Sequence, residues 1–200
     1  MILLGFESTA ATASVCLYID GAVAAERICT EQRRHSDTLL PLADEILTEA
    51  NLTPADVDYY CVDIGPGSFT GVRIGAASVN AAAHAAKKKV IGVDSLAVLW
   101  TASGRPKDAL VVLDAGGGRA YAARYEAGVC VMPPCTGAHA DFIAKAPEGT
   151  LLIENAQPQA SALCIAAAAR IAEAADAAFP IYLAPSQAER MFMERQGAKG

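Results

Sequence analysis

Asp63-Ile64-Gly65-Pro66-Gly67-Ser68-Phe69-Thr70-Gly71-Val72-Arg73-Ile74-Gly75 is the stretch that decides the fold. Residues 59–64 before it are short, β-branched and aromatic, the composition of a strand. Gly65-Pro66-Gly67 ends that strand, because proline cannot donate to a ladder and glycine permits turn dihedrals. Ser68 or Thr70 can then cap a helix running from about Thr70 to Ala86. On that helix Arg73, Asn80 and His84 fall within an arc of about 40°, with Ala77 beside them, and the rest of the circumference is apolar or tiny. One sheet face accounts for an apolar stripe little wider than about 100°, so something besides the sheet must cover this helix. Either the chain's own second half or a partner protein can supply that cover.

The neighbouring segments fill in a mixed sheet. Residues 2–6, 14–19 and 21–29 read as three strands, with Asp20-Gly21 a tight-hairpin signal, so the chain opens with an antiparallel meander. Residues 36–50 show helical spacing, with Pro41 tolerable only in the first turn. There Leu39, Leu40, Leu42, Ala43, Ile46, Leu47 and Ala50 cover an arc of about 160°, again more than one sheet contact requires. A strand at 90–93 and a helix at 96–102 capped by Ser95 complete a β-β-β-α-β-α-β order, the pattern of ribonuclease-H-like and actin-like domains. A lobe boundary is expected near residue 95, giving a complete lobe over 1–95 with a five-stranded mixed sheet and a smaller lobe over 96–200.

The second lobe begins as a partial repeat. Residues 109–113, Asp114-Ala115-Gly116-Gly117-Gly118 and 120–125 echo 2–6, Glu7-Ser8-Thr9-Ala10 and 14–19, which reads as a duplicated but truncated half. A strand at 128–132, a helix near 141–146, a strand at 150–153, a long alanine-rich helix over 159–177 and an edge segment at 180–183 are expected after it.

Composition narrows the function. The chain has 200 residues, 53% hydrophobic, with a net charge of −6 and a pI near 5.0, so it has no basic footprint for independent nucleic-acid binding. Lys87-Lys88-Lys89 and Arg33-Arg34 are its basic clusters. The six cysteines lack a Cys-x-x-Cys pair and most have apolar neighbours, which reads as free buried thiols and a reducing, cytoplasmic setting. No stretch reads as a signal peptide or a membrane span.

Candidate chemistry is sparse. The glycine loop has the shape that binds phosphate at a helix N-terminus, yet it lacks the Gly-Lys-Ser/Thr of a Walker loop and places Phe69 at its centre. Close packing is the favoured reading of its glycines. Glu7 and Asp114, at the ends of the two equivalent strands, are the pair that an actin-like ATPase would use to hold a metal-bound nucleotide. The plainer reading is that both cap turns. His35, His84 and His139 have no metal-ligand spacing.

Gly65-Pro66-Gly67-Ser68-Phe69-Thr70-Gly71-Val72-Arg73-Ile74-Gly75 closely resembles the signature of the TsaB (YeaZ) family, bacterial paralogues of the threonylcarbamoyltransferase TsaD. Leu3-Leu4-Gly5-Phe6-Glu7-Ser8-Thr9, His35-Ser36, Leu39-Leu40-Pro41, Ile91-Gly92-Val93, Leu113-Asp114-Ala115 and Pro180-Ile181-Tyr182-Leu183 extend the likeness along the chain. Glu7 stands where members usually have Asp, Gly116-Gly117 replaces bulkier residues, and Ala184 stands where Arg is common.

The resemblance implies an α/β, actin-like duplicated fold and a non-catalytic subunit. Such a subunit pairs with TsaD and, with the ATPase TsaE, supports formation of N6-threonylcarbamoyladenosine at position 37 of tRNA. It implies no cofactor or metal of the chain's own, ATP or ADP at the junction with TsaD, and tRNA contact only through the complex. The interface it implies is the first two helices, here Leu39, Leu42, Ala43, Ile46, Arg73, Ala76, Asn80 and Ala83, a surface open also to a homodimer. A charge at Ile46 or Ala76 is then expected to break the pairing and spare the fold. The competing reading is a small-substrate kinase or ATPase acting alone through Glu7 and Asp114.

Overall fold

The computed structural model describes residues 1–29, 35–154 and 156–184. The side chains of His35 and Ser36, the Arg33-Arg34 pair, Asn155 and the polar stretch from residue 185 lie outside them.

Two mixed sheets form. In the first, β1 (Ile2–Glu7), β2 (Ala13–Ile19) and β3 (Ala22–Cys29) are an antiparallel meander. The meander turns at Asp20 and Gly21, both at positive φ as a primed hairpin turn demands. Chain reversal through α1 (His35–Glu49) brings β4 (Tyr59–Asp63) parallel to β1, and α2 (Phe69–Ala86) brings β5 (Lys89–Val93) parallel to β4, for an order β3-β2-β1-β4-β5. After α3 (Ser95–Ala102), β6 (Ala109–Gly116), β7 (Arg119–Glu126) and β8 (Val129–Ala138) repeat the meander. Then α4 (His139–Ala144) leads to β9 (Leu151–Ile153), parallel to β6 as β4 is to β1, in an order β8-β7-β6-β9. The duplicated, truncated actin-like plan expected from the sequence is therefore present.

Burial explains the pattern. β1 and β2 are apolar on both faces because both faces are covered. On the outer side Leu4, Phe6, Val15, Leu17, Tyr60 and Val62 meet Leu39, Ala43, Ile46 and Leu47 of α1 and Val79 and Ala83 of α2. On the inner side Leu3, Cys16, Cys61, Ile91 and Val93 meet Ala97 and Val98 of α3 and α5 (Ala160–Ala168). The opposite flank of α3, Leu96 and Leu99, packs on Ala109, Val111, Ala123 and Tyr125 of the second sheet. A layer of α3 and α5 thus separates the two sheets.

Several elements differ from the expectation. The alanine-rich helix stops at Ala168, followed by a 3-10 turn at Ile171–Glu173, because residues 169 onward bend back along the first lobe. There Ala175 pairs with Val90 through two backbone bonds of 2.8 and 2.9 Å. Residues 180–183 are an extended strap rather than a strand, tied by Ile181 N–H to the Ile64 carbonyl at 2.8 Å. Residues 160–182, which follow the boundary expected near residue 95, pack on the first sheet and bond to its strands and loop. The cap of α3 is Asp94, whose side chain accepts from Ala97 N–H at 2.8 Å, and Ser95 is freed for another contact. Pro41 sits in the second turn of α1, not the first, inside the helix. Cys16, Cys61 and Cys164 are buried free thiols, whereas Cys130 is exposed.

The seat of α5 depends on Gly5. A Cβ there would lie 2.5 Å from Cys164 Sγ and 3.3 Å from the Ala160 carbonyl oxygen. Gly5→Ala is expected to destabilise the protein by about 1–3 kcal/mol as an overpacked core does. Cys164→Ala in the same chain recovers part of the loss, read as non-additivity in urea unfolding.

Candidate functional site

The signature loop is welded to the turn after β1. Ser68 caps α2, its side chain accepting Gly71 N–H at 3.2 Å, while Ser68 N–H reaches the Thr9 carbonyl at 2.9 Å. Ser8 Oγ donates to the Gly71 carbonyl at 2.8 Å. A Cβ on Gly71 would stand 1.9 Å from the Ser8 carbonyl oxygen, so only glycine lets the helix approach this turn. The glycines serve contact between backbones, as the sequence favoured.

Beneath the loop two carboxyl groups are sealed from water. Glu7 and Asp63 end the neighbouring parallel strands β1 and β4, and both are 0% exposed. Glu7 Oε1 accepts the N–H and Oγ–H of Thr9 at 2.5 and 2.7 Å. Asp63 Oδ1 accepts Gly65 N–H at 2.8 Å and Ser95 Oγ–H at 2.6 Å. Among the described residues Glu7 Oε2 is the one buried side-chain oxygen without a partner. Burial, then the adjacent Glu7, pushes the Asp63 carboxyl well above the usual carboxylate range. Asp63 therefore keeps its proton at pH values where an ordinary carboxyl has lost it.

The pair that a lone ATPase would need is not assembled. Between the lobes lies a cleft of about 370 Å³ lined by Thr9, Gly67, Ser68, Leu113, Asp114 and Tyr121 among others, with no Lys or Arg among its lining residues. Asp114 is exposed there, its Oδ1 accepting Gly116 N–H at 2.9 Å, while Glu7 is turned into the core. Each carboxylate caps its own turn. Among the described residues no three His, Cys, Asp or Glu side chains group to hold a metal. His139 instead pairs with Glu154 at 2.6 Å.

The expected interface residues need sorting. Leu39 (0%), Ile46 (1%), Ala76 (4%) and Ala83 (0%) are buried in the chain's own core, so they cannot meet a partner directly, and a charge at Ile46 or Ala76 attacks the fold; Ala43 (5%) is buried too but lines the groove between the two helices. The apolar arc of α1 is wider than one sheet contact requires, and positions 39, 43, 46 and 47 are the part of it seated on the sheet. Leu42 is half-buried against the same cluster. Asn80 clamps the strap, its Nδ2 donating to the Ala178 carbonyl and its Oδ1 accepting Ala178 N–H, both at 2.9 Å. Arg73 lies 4.1 Å from the Phe69 ring centroid and donates Nε–H to Tyr182 at 3.0 Å. The chain's own end thus touches the polar seam of α2 at Arg73 and Asn80, while Arg73 and His84 stay exposed.

What remains exposed is different. Leu40, 44% exposed, Asp44, Ala82 and Ala85 border an apolar groove of about 420 Å³ between α1 and α2, floored by Phe6 and Tyr60. Helix α1 carries Asp37, Asp44, Glu45 and Glu49 and no Lys or Arg, whereas α2 carries Arg73 and His84 and no acidic residue. Sequence periodicity could have flagged this asymmetry, since it needs only the two helix spans.

The chain belongs to the TsaD family, whose model, described as tRNA N6-adenosine threonylcarbamoyltransferase, matches residues 23–180. Within that family its kinship is with TsaB, also called YeaZ. It is 34% identical to the Escherichia coli tRNA threonylcarbamoyladenosine biosynthesis protein TsaB over 131 residues, 63% of this chain and 55% of that protein. An uncharacterized protein of Mycobacterium tuberculosis is 36% identical over 186 residues, 87% of this chain and 86% of the relative. YeaZ from Pseudomonas aeruginosa superposes with a TM-score of 0.77 at 24% identity, covering 91% of this chain and 99% of that one, a likeness of fold.

The acid pair predicts a pH dependence. The folded state holds the Asp63 proton more tightly than the unfolded chain, so stability falls as pH rises from about 4, the unfolded carboxylate value, until Asp63 ionises. Asp63→Asn retains the acceptor for Gly65 and Ser95 and offers Glu7 a permanent donor. Urea midpoints measured across that range are expected to decline for the parent and to flatten for the variant.

Proposed function

We propose that this chain is a non-catalytic docking subunit in threonylcarbamoyladenosine formation on tRNA, pairing with a TsaD transferase through the exposed face of α1 and α2. The observation that carries the reading is the apolar groove between those helices, flanked by an acidic helix and an acid-free one. A partner built on the same two-helix plan, as a member of the same family is, meets it with helix against helix. The names of the TsaB relatives place those proteins in tRNA threonylcarbamoyladenosine biosynthesis and support the pathway. TsaE and tRNA join through the assembled complex, and ATP or ADP binds at the junction with TsaD rather than to this chain alone.

A homodimer through the same helices is the alternative use of the face, because the charge pattern is self-complementary. The lone kinase or ATPase reading is disfavoured by the burial of Glu7, the turn-capping of Asp114 and the lack of a basic side chain among the residues lining the interlobe cleft.

The test uses charges on the rim of the groove, where the fold is spared. Leu40→Glu and Ala85→Glu are expected to keep the parent's thermal midpoint and to weaken co-elution with TsaD in size-exclusion chromatography by about tenfold or more in dissociation constant. Both should fail to restore tRNA modification beside TsaD, TsaE and the adenylate-forming enzyme. The parent alone is expected to hydrolyse no ATP; turnover abolished by Glu7→Ala or Asp114→Ala would overturn the proposal.

A further inference from the structure

The outer face of the second sheet is only partly covered. Its first-lobe equivalent lies under α1 and α2, helices of 15 and 18 residues, whereas among the described residues the six-residue α4 is the helix packed here. The shortfall leaves a cavity of about 560 Å³ between α4 and the sheet, larger than the interlobe cleft or the groove between α1 and α2. Leu110 and Met132 give it an apolar floor and Phe142 of α4 a wall. The ring leans onto β8 because Gly137 is bare there; a Cβ on it would lie 3.0 Å from Phe142 Cζ. A concave, mostly apolar pocket with a few polar groups is the form that small-molecule sites take.

Arg124 interrupts the apolar floor. It stands in β7 in register with Leu110 on one side and Met132 on the other, so the three share a face. The preceding residues of β7 on that face are the buried Ala120 and Ala122. A charge where strand alternation calls for a core residue costs stability unless function uses it. The Arg124 side chain is only 28% exposed, it bonds to Glu126 two residues along the same strand, and it has no other hydrogen bond among the described residues.

We infer that this cavity binds a small organic carboxylate, its charge taken by the Arg124 guanidinium and its apolar body laid over Leu110 and Met132 against Phe142. Charge selects the ligand. The interlobe cleft and the groove between α1 and α2 each have one charged residue in their lining, Asp114 and Asp44, and both are acidic. This cavity sets Arg124 and Lys145 against the single acid Asp141. In a chain of net charge −6, a lining with a cationic excess runs against the composition. Glu126 is not a lining residue, and the planar fork of a guanidinium has donors left for a second carboxylate. Lys145 adds a mobile cation at the rim, loosely paired with Asp141 at 3.8 Å. The inference does not depend on the docking reading of α1 and α2.

The probe is octanoate, with 1-octanol supplying the same body without the charge and acetate the charge without the body. Each is titrated into the full-length chain carrying isotope-labelled methionine methyls, with the Met132 signal assigned through Met132→Leu. Octanoate is expected to bind saturably in the millimolar range or tighter, one per chain, and to shift the Met132 signal. Octanol and acetate are expected to bind about tenfold more weakly. Arg124→Met keeps the apolar stem and removes the charge; it is expected to weaken octanoate about tenfold or more and to leave octanol unchanged. Lys145→Gln, on an exposed rim where the fold is spared, is expected to weaken octanoate about twofold, an effect that fades in salt. Failure of octanoate to saturate, saturation that leaves Met132 unmoved, or octanol binding as tightly as octanoate would overturn the inference. So would equal octanoate affinity in the parent and a folded Arg124→Met. If Arg124→Met melts below the parent, the octanoate–octanol contrast in the parent and the Lys145→Gln titration decide.

Discussion

The arrangement depends on a backbone-to-backbone contact, Gly71 of α2 against the Ser8 carbonyl, with two buried acids directly beneath it. Ser8 fixes the helix to the turn after β1, Thr9 joins that turn to Glu7, and Asp63 joins the start of the loop to Ser95 of α3. One small polar knot therefore positions the turn, the loop and the first residues of two helices. The Thr9–Glu7 and Gly65–Asp63 bonds shape their own turns, while the Ser8–Gly71 and Asp63–Ser95 bonds join elements far apart in sequence. Buried polar groups of this kind are costly unless nearly all are satisfied, and here Glu7 Oε2 alone among the described buried side-chain oxygens lacks a partner.

The same knot engages part of a loop shaped like a phosphate-binding one. Three of its N–H groups have protein acceptors: Ser68 N–H the Thr9 carbonyl, Gly71 N–H the Ser68 side chain, Gly65 N–H the Asp63 carboxyl. The interlobe cleft inherits the geometry of its fold without the cationic side chains that a nucleotide would need. Its counterpart on the outer side, the groove between α1 and α2, is where apolar surface is left over.

Much of the first lobe was legible in the sequence because its signals are local. Alternation marked the meander, Asp20-Gly21 its turn, and the break at Gly65-Pro66-Gly67 the entry into α2. The eventual company of each helix face was not. Nothing near Asn80 announces that it binds Ala178, 98 residues away, or that Arg73 meets Tyr182, 109 residues away. Helical periodicity reported the width of an apolar arc but not which part the sheet consumes, so buried Ile46 and exposed Leu40 looked alike. The end of α5 was misjudged for the same reason: alanine propensity favours helix through residue 177, and pairing with Val90 overrides it.

The return of α5 to the first sheet has a consequence for biosynthesis. Leu3, Cys16, Cys61 and Ile91 acquire their inner cover from residues 160–167, which follow the whole second meander in the chain. Emerging from the ribosome, the leading half can pair its strands yet must keep this oily underside bare until α5 has been made. A later segment closes the first-made sheet, so nascent-chain protection, by chaperone or by speed, is demanded of a molecule whose sheets otherwise assemble in order.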